Sequence, residues 1–86
     1  MKLNKVTVKY RGHLAALTNI SEEIFESGNV NGILKLIRER HGRDAEKAAR
    51  AMLIVVNGES ILLLQGYKTV LKEADLINFF PLCAGG

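Results

Sequence analysis

Hydrophobic and polar residues alternate near the start of the chain, and this alternation predicts a strand. Over residues 3–10, the two faces are formed by Val6, Val8 and Tyr10 and by Lys5, Thr7 and Lys9. A period of two with β-branched residues is typical of a strand with one buried and one solvated face. A weaker strand is predicted over residues 19–25, and a hairpin of the two is the simplest arrangement. The apolar residues 14–17 fit either a loop or an early strand.

The spacing of apolar residues changes after residue 29 and there predicts a helix. One stripe at positions i, i+3, i+4 and i+7 contains Val30, Ile33, Leu34 and Ile37. Asn29 or Asn31 is suited to cap the first turn of this helix, and Gly42 is suited to end it. Asp44 is suited to cap a short second helix over residues 45–50.

The second half of the chain has the pattern of a β-hairpin. Residues 52–56 are continuously apolar, as in a buried strand, and residues 60–64 are predicted to pair with them. Asn57 and Gly58 lie between these segments and tolerate positive φ, which a type I′ hairpin turn requires. This dipeptide is the strongest local structural signal in the sequence.

The last predicted strand covers residues 76–80 and completes an α+β pattern. Its period of two directs Ile77 and Phe79 inward and Phe80 outward. The element order predicts a mixed sheet with a helix on one face, and the first and last strands can be parallel neighbours at its centre. A chain of 86 residues is long enough for one domain, which we assign to residues 1–80.

A short tail over residues 81–86 follows this strand and ends in Gly85 and Gly86. Glycine has no Cβ, so such a tail can enter a narrow slot, and we expect it to be flexible when unbound. A flexible segment with a free carboxylate, fixed to a folded domain, suggests that the carboxylate itself is the reactive group. A frayed end without a function is the alternative interpretation.

Composition and charge argue against several classes of protein. The sequence has no apolar run long enough to span a membrane and no signal peptide, so a cytoplasmic protein is expected. The one cysteine, Cys83, rules out an internal disulfide framework, and the isolated His13 and His41 give no indication of a metal site. The net charge is +3, but acidic residues interleave with most basic residues in the middle of the chain. This pattern favours a solvated helix face over a phosphate-binding patch. A small basic nucleic-acid-binding domain is therefore the weakest hypothesis for the function of this chain.

Several short motifs, all of them in the second half of the chain, match a known family. They are Val55-Val56-Asn57-Gly58-Glu59, Leu64-Gln65-Gly66, Leu71-Lys72, Asp75, Phe79-Phe80-Pro81 and Ala84-Gly85-Gly86. With these motifs the chain resembles the MoaD/ThiS-type sulfur carriers, which are ubiquitin-like β-grasp proteins, and most strongly the small subunit of molybdopterin synthase. Three residues depart from the family pattern: Leu82 stands at a common second proline, Ala74 at a common turn glycine, and Cys83 at a usual aliphatic residue.

The resemblance implies both a fold and a reaction. The fold would be a ubiquitin-like β-grasp, with a mixed four- to five-stranded sheet packed on one main helix. A partner adenylating enzyme, similar to ubiquitin-activating enzymes, would use ATP and Mg²⁺ to activate the carboxyl group of Gly86. A sulfur donor would convert that group to a thiocarboxylate for use with the large subunit of molybdopterin synthase. The chain itself would bind no cofactor or metal and would contribute no catalytic side chain.

The resemblance also implies roles for the residues of the tail. Ala84 and Gly85 would enter a partner's active site together with Gly86, and three further residues would contact the partner's surface: Phe80, Pro81 and Leu82. For Phe80 a second small core is the alternative, and for Pro81 the simple termination of a strand. Two other functions share the activation chemistry: a ubiquitin-like modifier conjugated through Gly86, and a sulfur carrier for thiamine synthesis or tRNA thiolation.

Overall fold

The bounds of the elements are given by the computed structural model of the protein, which describes residues 2–82. The strands of this part are β1 (Asn4–Lys9), β2 (Glu22–Ser27), β3 (Leu53–Val56), β4 (Glu59–Ser60) and β5 (Leu76–Phe80). The α-helices are α1 (Gly12–Thr18), α2 (Val30–His41) and α3 (Arg43–Arg50), and two 3₁₀ turns cover Ile61–Leu63 and Gly66–Lys68. The predicted last strand and the predicted main helix are confirmed.

The strands within residues 2–82 form one mixed sheet in the order β2-β1-β5-β3-β4. β1 and β5 run parallel, whereas the other neighbouring pairs are antiparallel. The predicted α+β class is confirmed, and so is the parallel pairing of the first and last strands. β5 therefore lies at the centre of the sheet and has a partner along each edge.

One face of the sheet packs against α2, and the alternating side chains of the strands supply that face. The central strands and the stripe of α2 contribute almost fully buried residues: Val6, Val8, Ile77, Phe79, Val30, Ile33, Leu34 and Ile37. Burial of one such side chain stabilises a fold by roughly 1.5–3 kcal/mol, so this cluster is the main source of stability. Phe80 lies on the face of β5 opposite to Phe79, as predicted, and is half-buried.

The ends of α2 follow their sequence signals. The side-chain oxygen of Asn29 accepts a hydrogen bond from the backbone N–H of Gly32 at 2.8 Å, which confirms Asn29 as the cap. Gly42 ends the helix with a φ of +97°, a conformation that favours glycine. The predicted cap of the next helix is wrong, because α3 begins at Arg43 and places Asp44 in its first turn. A carboxylate there is still favourable, since it faces the positive end of the helix dipole.

Two segments in the first half differ from their sequence prediction. Residues 14–17 belong to α1, in which Leu14 and Thr18 are buried one helical turn apart. The hydroxyl of Thr18 donates to the carbonyl of Leu14 at 3.0 Å, so a polar residue occupies the position where an apolar one would have revealed the helical period. The strand predicted over residues 19–25 is shifted to Glu22–Ser27.

The strand predicted over residues 60–64 is wrong beyond its first residue. β4 ends at Ser60, whose hydroxyl oxygen accepts a hydrogen bond from the N–H of Leu62 at 3.1 Å and so starts a 3₁₀ turn. A side chain that bonds to the local backbone in this way competes with strand pairing. As a result Ile61 points into the core, whereas Leu62 and Leu63 are 82% and 79% exposed.

A polar cluster joins β1, β2 and the end of α2. The carboxylate of Glu23 accepts hydrogen bonds from the hydroxyl of Tyr10 at 2.5 Å and from the guanidinium of Arg40 at 2.8 Å. It also lies 2.6 Å from Nε2 of His41. Burial by itself would raise the pKa of Glu23, but these partners outweigh it and hold the pKa below its ordinary value of 4.5. Burial, together with the bond to Glu23, raises the pKa of Tyr10.

We expect Glu23→Gln to lower the free energy of unfolding at neutral pH by about 1–3 kcal/mol, because hydrogen bonds to a charged group are lost. A carboxylate whose native pKa is depressed stabilises the fold above its unfolded-state pKa, and this contribution is lost as the pH falls through the native pKa. The stability curves of the wild type and the variant should therefore converge as the pH falls below 4.5.

Denaturant unfolding at a series of acidic to neutral pH values measures this effect. Glu26→Gln is the matched control, because Glu26 is an exposed carboxylate on the same strand. We expect the control to stay within about 0.5 kcal/mol of the wild type. A difference between the wild type and Glu23→Gln that is independent of pH would contradict the role of the charge.

The turn before β5 contains a non-glycine residue with positive φ. Ala74 has a φ of +70°, and its backbone N–H donates to the carbonyl of Lys5 at 2.8 Å. An L-residue in the left-handed region has its Cβ too close to the backbone, at a cost of roughly 1–2 kcal/mol. Alanine at this common glycine position is therefore strained.

Ala74→Gly should raise the free energy of unfolding by about 0.5–1 kcal/mol, because relief of the strain exceeds the added entropy of the unfolded chain. Thermal or urea unfolding measures the change. Ala16→Gly, at an exposed position in α1, is the control and should instead lower stability by about 0.5–1 kcal/mol. Equal losses in both variants would show that Ala74 is not strained.

Candidate functional site

The predicted tail leaves the domain at the end of β5. Phe80 is the register partner of Leu53 on β3, and the other edge of β5 is held by β1. Ile77 and Phe79 are fully buried and fix the strand against the core. We define the tail root as the residues Phe80, Pro81 and Leu82. The other predicted tail residues lie outside the described residues: Cys83, Ala84, Gly85 and Gly86.

A polar turn fixes the start of β5. The side-chain amide of Asn57 donates to Oδ1 of Asp75 at 2.8 Å, and its carbonyl oxygen accepts from the backbone N–H of Leu76 at 2.9 Å. The Oδ2 atom of Asp75 accepts from the N–H of Lys72 at 2.7 Å. Asn57 also has a φ of +50°, as the hairpin turn requires. Two residues from the family motifs thus place the strand that carries the tail root.

Phe80 is covered on one side by a cation. The guanidinium carbon of Arg11 lies 5.0 Å from the centroid of the Phe80 ring. The same guanidinium donates to the side-chain oxygen of Asn78 at 3.3 Å. A half-buried aromatic ring keeps part of its surface available, so the contact of Phe80 with a partner stays a prediction.

Pro81 is the first residue beyond β5 and meets the start of α1. Gly12 has a φ of +58°, and a Cβ added to it would lie 2.8 Å from Cγ of Pro81. Proline fixes its own φ and has no N–H, so it ends strand pairing and sets the direction of the chain. The sequence indicated this role for Pro81 but gave no indication of its contact with Gly12.

Leu82 lines an apolar groove beside the tail root and is 61% exposed. The groove has a volume of about 400 Å³, and its lining includes Met52, Ile54, Ile61, Leu62, Tyr67 and Arg50. The guanidinium carbon of Arg50 lies 5.2 Å from the Tyr67 ring centroid and gives the groove a cationic rim. Sequence reasoning missed this surface because it assigned residues 60–64 to a strand. Three successive leucines after Ile61 were the available signal, since the alternating faces of an edge strand do not bury them all.

The chemical character of the site is set by apolar side chains. The tail root consists of an aromatic ring, a proline and a leucine, which can bind a surface but cannot transfer protons. Within residues 2–82, no group of His, Cys, Asp and Glu side chains is arranged to hold a metal ion. Within the same residues, no helix has the length and apolarity that a membrane crossing needs.

The family of this chain follows from its match to a family model. The family model described as the ThiS family matches residues 8–86 of the chain, which is all of it from Val8 onward. The chain belongs to the ThiS family. This membership confirms the resemblance to ubiquitin-like sulfur carriers that the motifs indicated. Among curated proteins, no match to the chain is found.

Solved structures confirm that this ThiS-family chain has a ubiquitin-like β-grasp fold. Small archaeal modifier protein 1 from Methanosarcina acetivorans matches with a TM-score of 0.85 and 23% identity over 100% of both chains. The BexX/CysO complex from Amycolatopsis orientalis contains a chain that matches with a TM-score of 0.81 and 23% identity, over 94% of this chain and 99% of that one. A complex of subunits 1 and 2 of molybdopterin-converting factor from Helicobacter pylori matches with a TM-score of 0.69 and 18% identity, over 95% and 99%.

Proposed function

We propose that this ThiS-family chain carries sulfur as a thiocarboxylate on the carboxyl group of Gly86 and delivers it in the synthesis of molybdopterin. The observation that carries the proposal is the family match, which extends through residue 86 and so includes the Gly85-Gly86 pair. The location of the tail root supports it, because a fixed central strand ends where the tail begins.

The chemistry explains why such a carrier needs an activating partner. A carboxylate is a poor acyl donor because its leaving group would be oxide. In the proposed first step, a carboxylate oxygen of Gly86 attacks the α-phosphorus of ATP on a Mg²⁺-dependent adenylating enzyme, and pyrophosphate leaves. In the second step, a sulfur nucleophile attacks the acyl carbon, and AMP leaves. Gly85 and Ala84 enter the partner's active site, where small residues avoid a steric clash.

The choice of molybdopterin rests on two observations. The Phe79-Phe80-Pro81 motif resembles the small subunit of molybdopterin synthase, and one structural neighbour is subunit 1 of molybdopterin-converting factor in complex with subunit 2. The large subunit of the synthase is therefore the proposed acceptor partner. Delivery to thiamine synthesis or tRNA thiolation follows the same activation and differs only in the acceptor. We place the reaction in the cytoplasm, where the thiol of Cys83 would stay reduced.

A role as a protein modifier is the second candidate function. It is favoured by the likeness to small archaeal modifier protein 1, which extends over the whole of both chains. In this case the acyl-adenylate of Gly86 would react with the amino group of a lysine in place of a sulfur nucleophile. Tryptic peptides that carry residues 73–86 of this chain on a lysine would identify this outcome, because Lys72 is the last trypsin site before Gly86.

Incubation with an adenylating enzyme, ATP, Mg²⁺ and sulfide should raise the intact mass of the chain by the difference between sulfur and oxygen. Gly86→Ala should slow ATP–pyrophosphate exchange by about 100-fold, because a Cβ at the reacting residue displaces the carboxylate. Its thermal unfolding should match that of the wild type.

A chain extended by one residue after Gly86 is the second control, since it removes the reacting carboxylate from its position. Absence of the mass increase in the wild type would overturn the carrier proposal. Full exchange activity in Gly86→Ala would show that the carboxyl group of Gly86 is not the site of activation.

The groove beside the tail root is the proposed contact surface for the adenylating enzyme. Leu82 and Leu62 line the same groove, so a partner that holds the tail also covers the exposed Leu62 of the 3₁₀ turn. Large exposed apolar side chains at one location are characteristic of protein-binding surfaces. Phe80 and Pro81 lie at the root of the same tail and would be covered by the same contact.

Leu62→Ser should weaken binding to the adenylating enzyme by about tenfold, as loss of an apolar interface contact typically does. It should leave the melting temperature unchanged, because the side chain is 82% exposed. Ile24→Ser is the control, since Ile24 is 63% exposed on β2, the opposite edge strand of the sheet. Titration calorimetry measures the affinity of both variants for the adenylating enzyme. Equal affinities for the two variants would remove the groove from the contact surface.

A further inference from the structure

The segment between β1 and α1 contacts two residues of the tail root. Arg11 has an extended backbone, with φ −137° and ψ 158°, and Gly12 follows with a φ of +58°. This change of direction starts α1 beside the end of β5. Arg11 and Gly12 are far from the tail in sequence, since Arg11 is separated from its partner Asn78 by 67 positions.

Arg11 joins two side chains of β5 that lie on the solvent-facing side of the sheet. Its guanidinium carbon is 5.0 Å from the Phe80 ring centroid, and it donates to Asn78 at 3.3 Å. A planar guanidinium can stack on an aromatic ring and bond in its own plane at the same time, which a lysine ammonium cannot do. Arg11 therefore packs over the Phe80 ring without burying it.

Gly12 forms the second contact, and a side chain there would crowd the ring of Pro81. An added Cβ would lie 2.8 Å from Cγ and 3.7 Å from Cβ of Pro81. The positive φ disfavours any L-residue independently of this contact. A side chain at position 12 would therefore push the proline ring, and with it the chain direction after β5.

From these contacts we infer that Arg11 and Gly12 are positioning residues for the reactive tail. The inference rests on the proposed function, because it assigns to them the task of directing the chain beyond Pro81 into the partner's active site. Arg11 holds the ring of Phe80, and Gly12 sets the location of Pro81. Neither residue belongs to the tail that carries the reacting carboxyl group. A small displacement of a reacting group can cost two orders of magnitude in rate, so the location of the tail root affects the chemical step.

Gly12→Ala tests the inference, with Gly58→Ala as the matched control. Both glycines have positive φ, at +58° and +87°, but a Cβ on Gly58 meets nothing within 4 Å. Gly58 lies in the β3–β4 turn, next to Asn57, which bonds to the start of β5. Both variants carry backbone strain, and only one of them moves Pro81.

The first measurement is made on the free chain by NMR and does not depend on any partner. The amide signals of Phe80 and Leu82 should shift in Gly12→Ala and stay in place in Gly58→Ala. The second measurement is ATP–pyrophosphate exchange with the adenylating enzyme. We expect kcat to fall at least about tenfold in Gly12→Ala, and by a larger factor than KM for the carrier rises, because the displaced Pro81 redirects the tail while Leu62 and the rest of the groove stay in place.

Arg11→Gln is a second test that does not strain the backbone, since Arg11 is exposed. Its control is Arg40→Gln, because Arg40 lies at a similar distance of 4.9 Å over the ring of Phe25, on another strand. Arg11→Gln should shift the signals of Phe80 and lower kcat by about tenfold, and Arg40→Gln should do neither. Arg11→Lys should retain less than half of the kcat difference between the wild type and Arg11→Gln.

Two results would overturn the inference. Unchanged signals of the tail root in both Gly12→Ala and Arg11→Gln would show that these residues do not position it. A rise in KM without a fall in kcat would show that they bind the partner directly. If the wild type itself supports no exchange, the proposed function fails, and the NMR comparison still decides whether Arg11 and Gly12 place the tail root.

Discussion

The pairing of β5 along both of its edges is the constraint on which the rest of the structure depends. β5 is hydrogen-bonded to β1 on one side and to β3 on the other, and its side chains Ile77 and Phe79 are completely buried. Because side chains alternate along a strand, burial of Phe79 forces Phe80 to the solvent side. The same packing that stabilises the core therefore sets the orientation of the tail root. Core and site cannot change independently.

This arrangement suits a carrier that supplies no catalytic side chain. Partners need a terminus that always leaves the domain in the same place, and a central strand gives that better than an edge strand or a loop. The start of β5 is fixed by the bonds of Asn57 and Asp75, and its end by Pro81. Proline ends the hydrogen-bonded ladder at once, so the chain leaves the sheet at a defined residue.

The sequence predicted the elements whose signals are local. The bounds of β5 and the stripe of α2 are each specified by a few neighbouring residues, and both were confirmed. The cap of α2 was predicted at Asn29 or Asn31, and the structure has it at Asn29. The positive φ of Ala74 agrees with its location at a common turn glycine, which the family resemblance indicated and no local pattern did. α1 was missed because Thr18 satisfies itself by a bond to Leu14 and hides the apolar period. The end of β4 at Ser60 was missed because the apolar residues after it were assigned to a strand, whereas the serine side chain bonds locally to Leu62 and starts a 3₁₀ turn.

The contacts of the tail root show why a site can be only partly predicted. Phe80 and Pro81 follow from the period of β5 and from the chemistry of proline. Their contacts with Arg11 and Gly12 join residues from opposite ends of the chain, so no local pattern indicates them. The exposed Leu62 depends likewise on where the 3₁₀ turn begins.

The contacts of Arg11 and Gly12 with the tail root help to explain how the chain tolerates Leu82 at a position where the family pattern often has a second proline. One proline restricts φ at one residue only. With Leu82 after Pro81, the backbone therefore has more freedom than it would have in a Pro-Pro pair. The contact of Gly12 with the Pro81 ring and the stacking of Arg11 on Phe80 restrict the same region from outside. Packing by α1 can thus supply part of the direction that a second proline would supply covalently. Leu82 also adds an exposed apolar side chain to the groove that contains Leu62. A proline at this position would add less apolar surface to the groove.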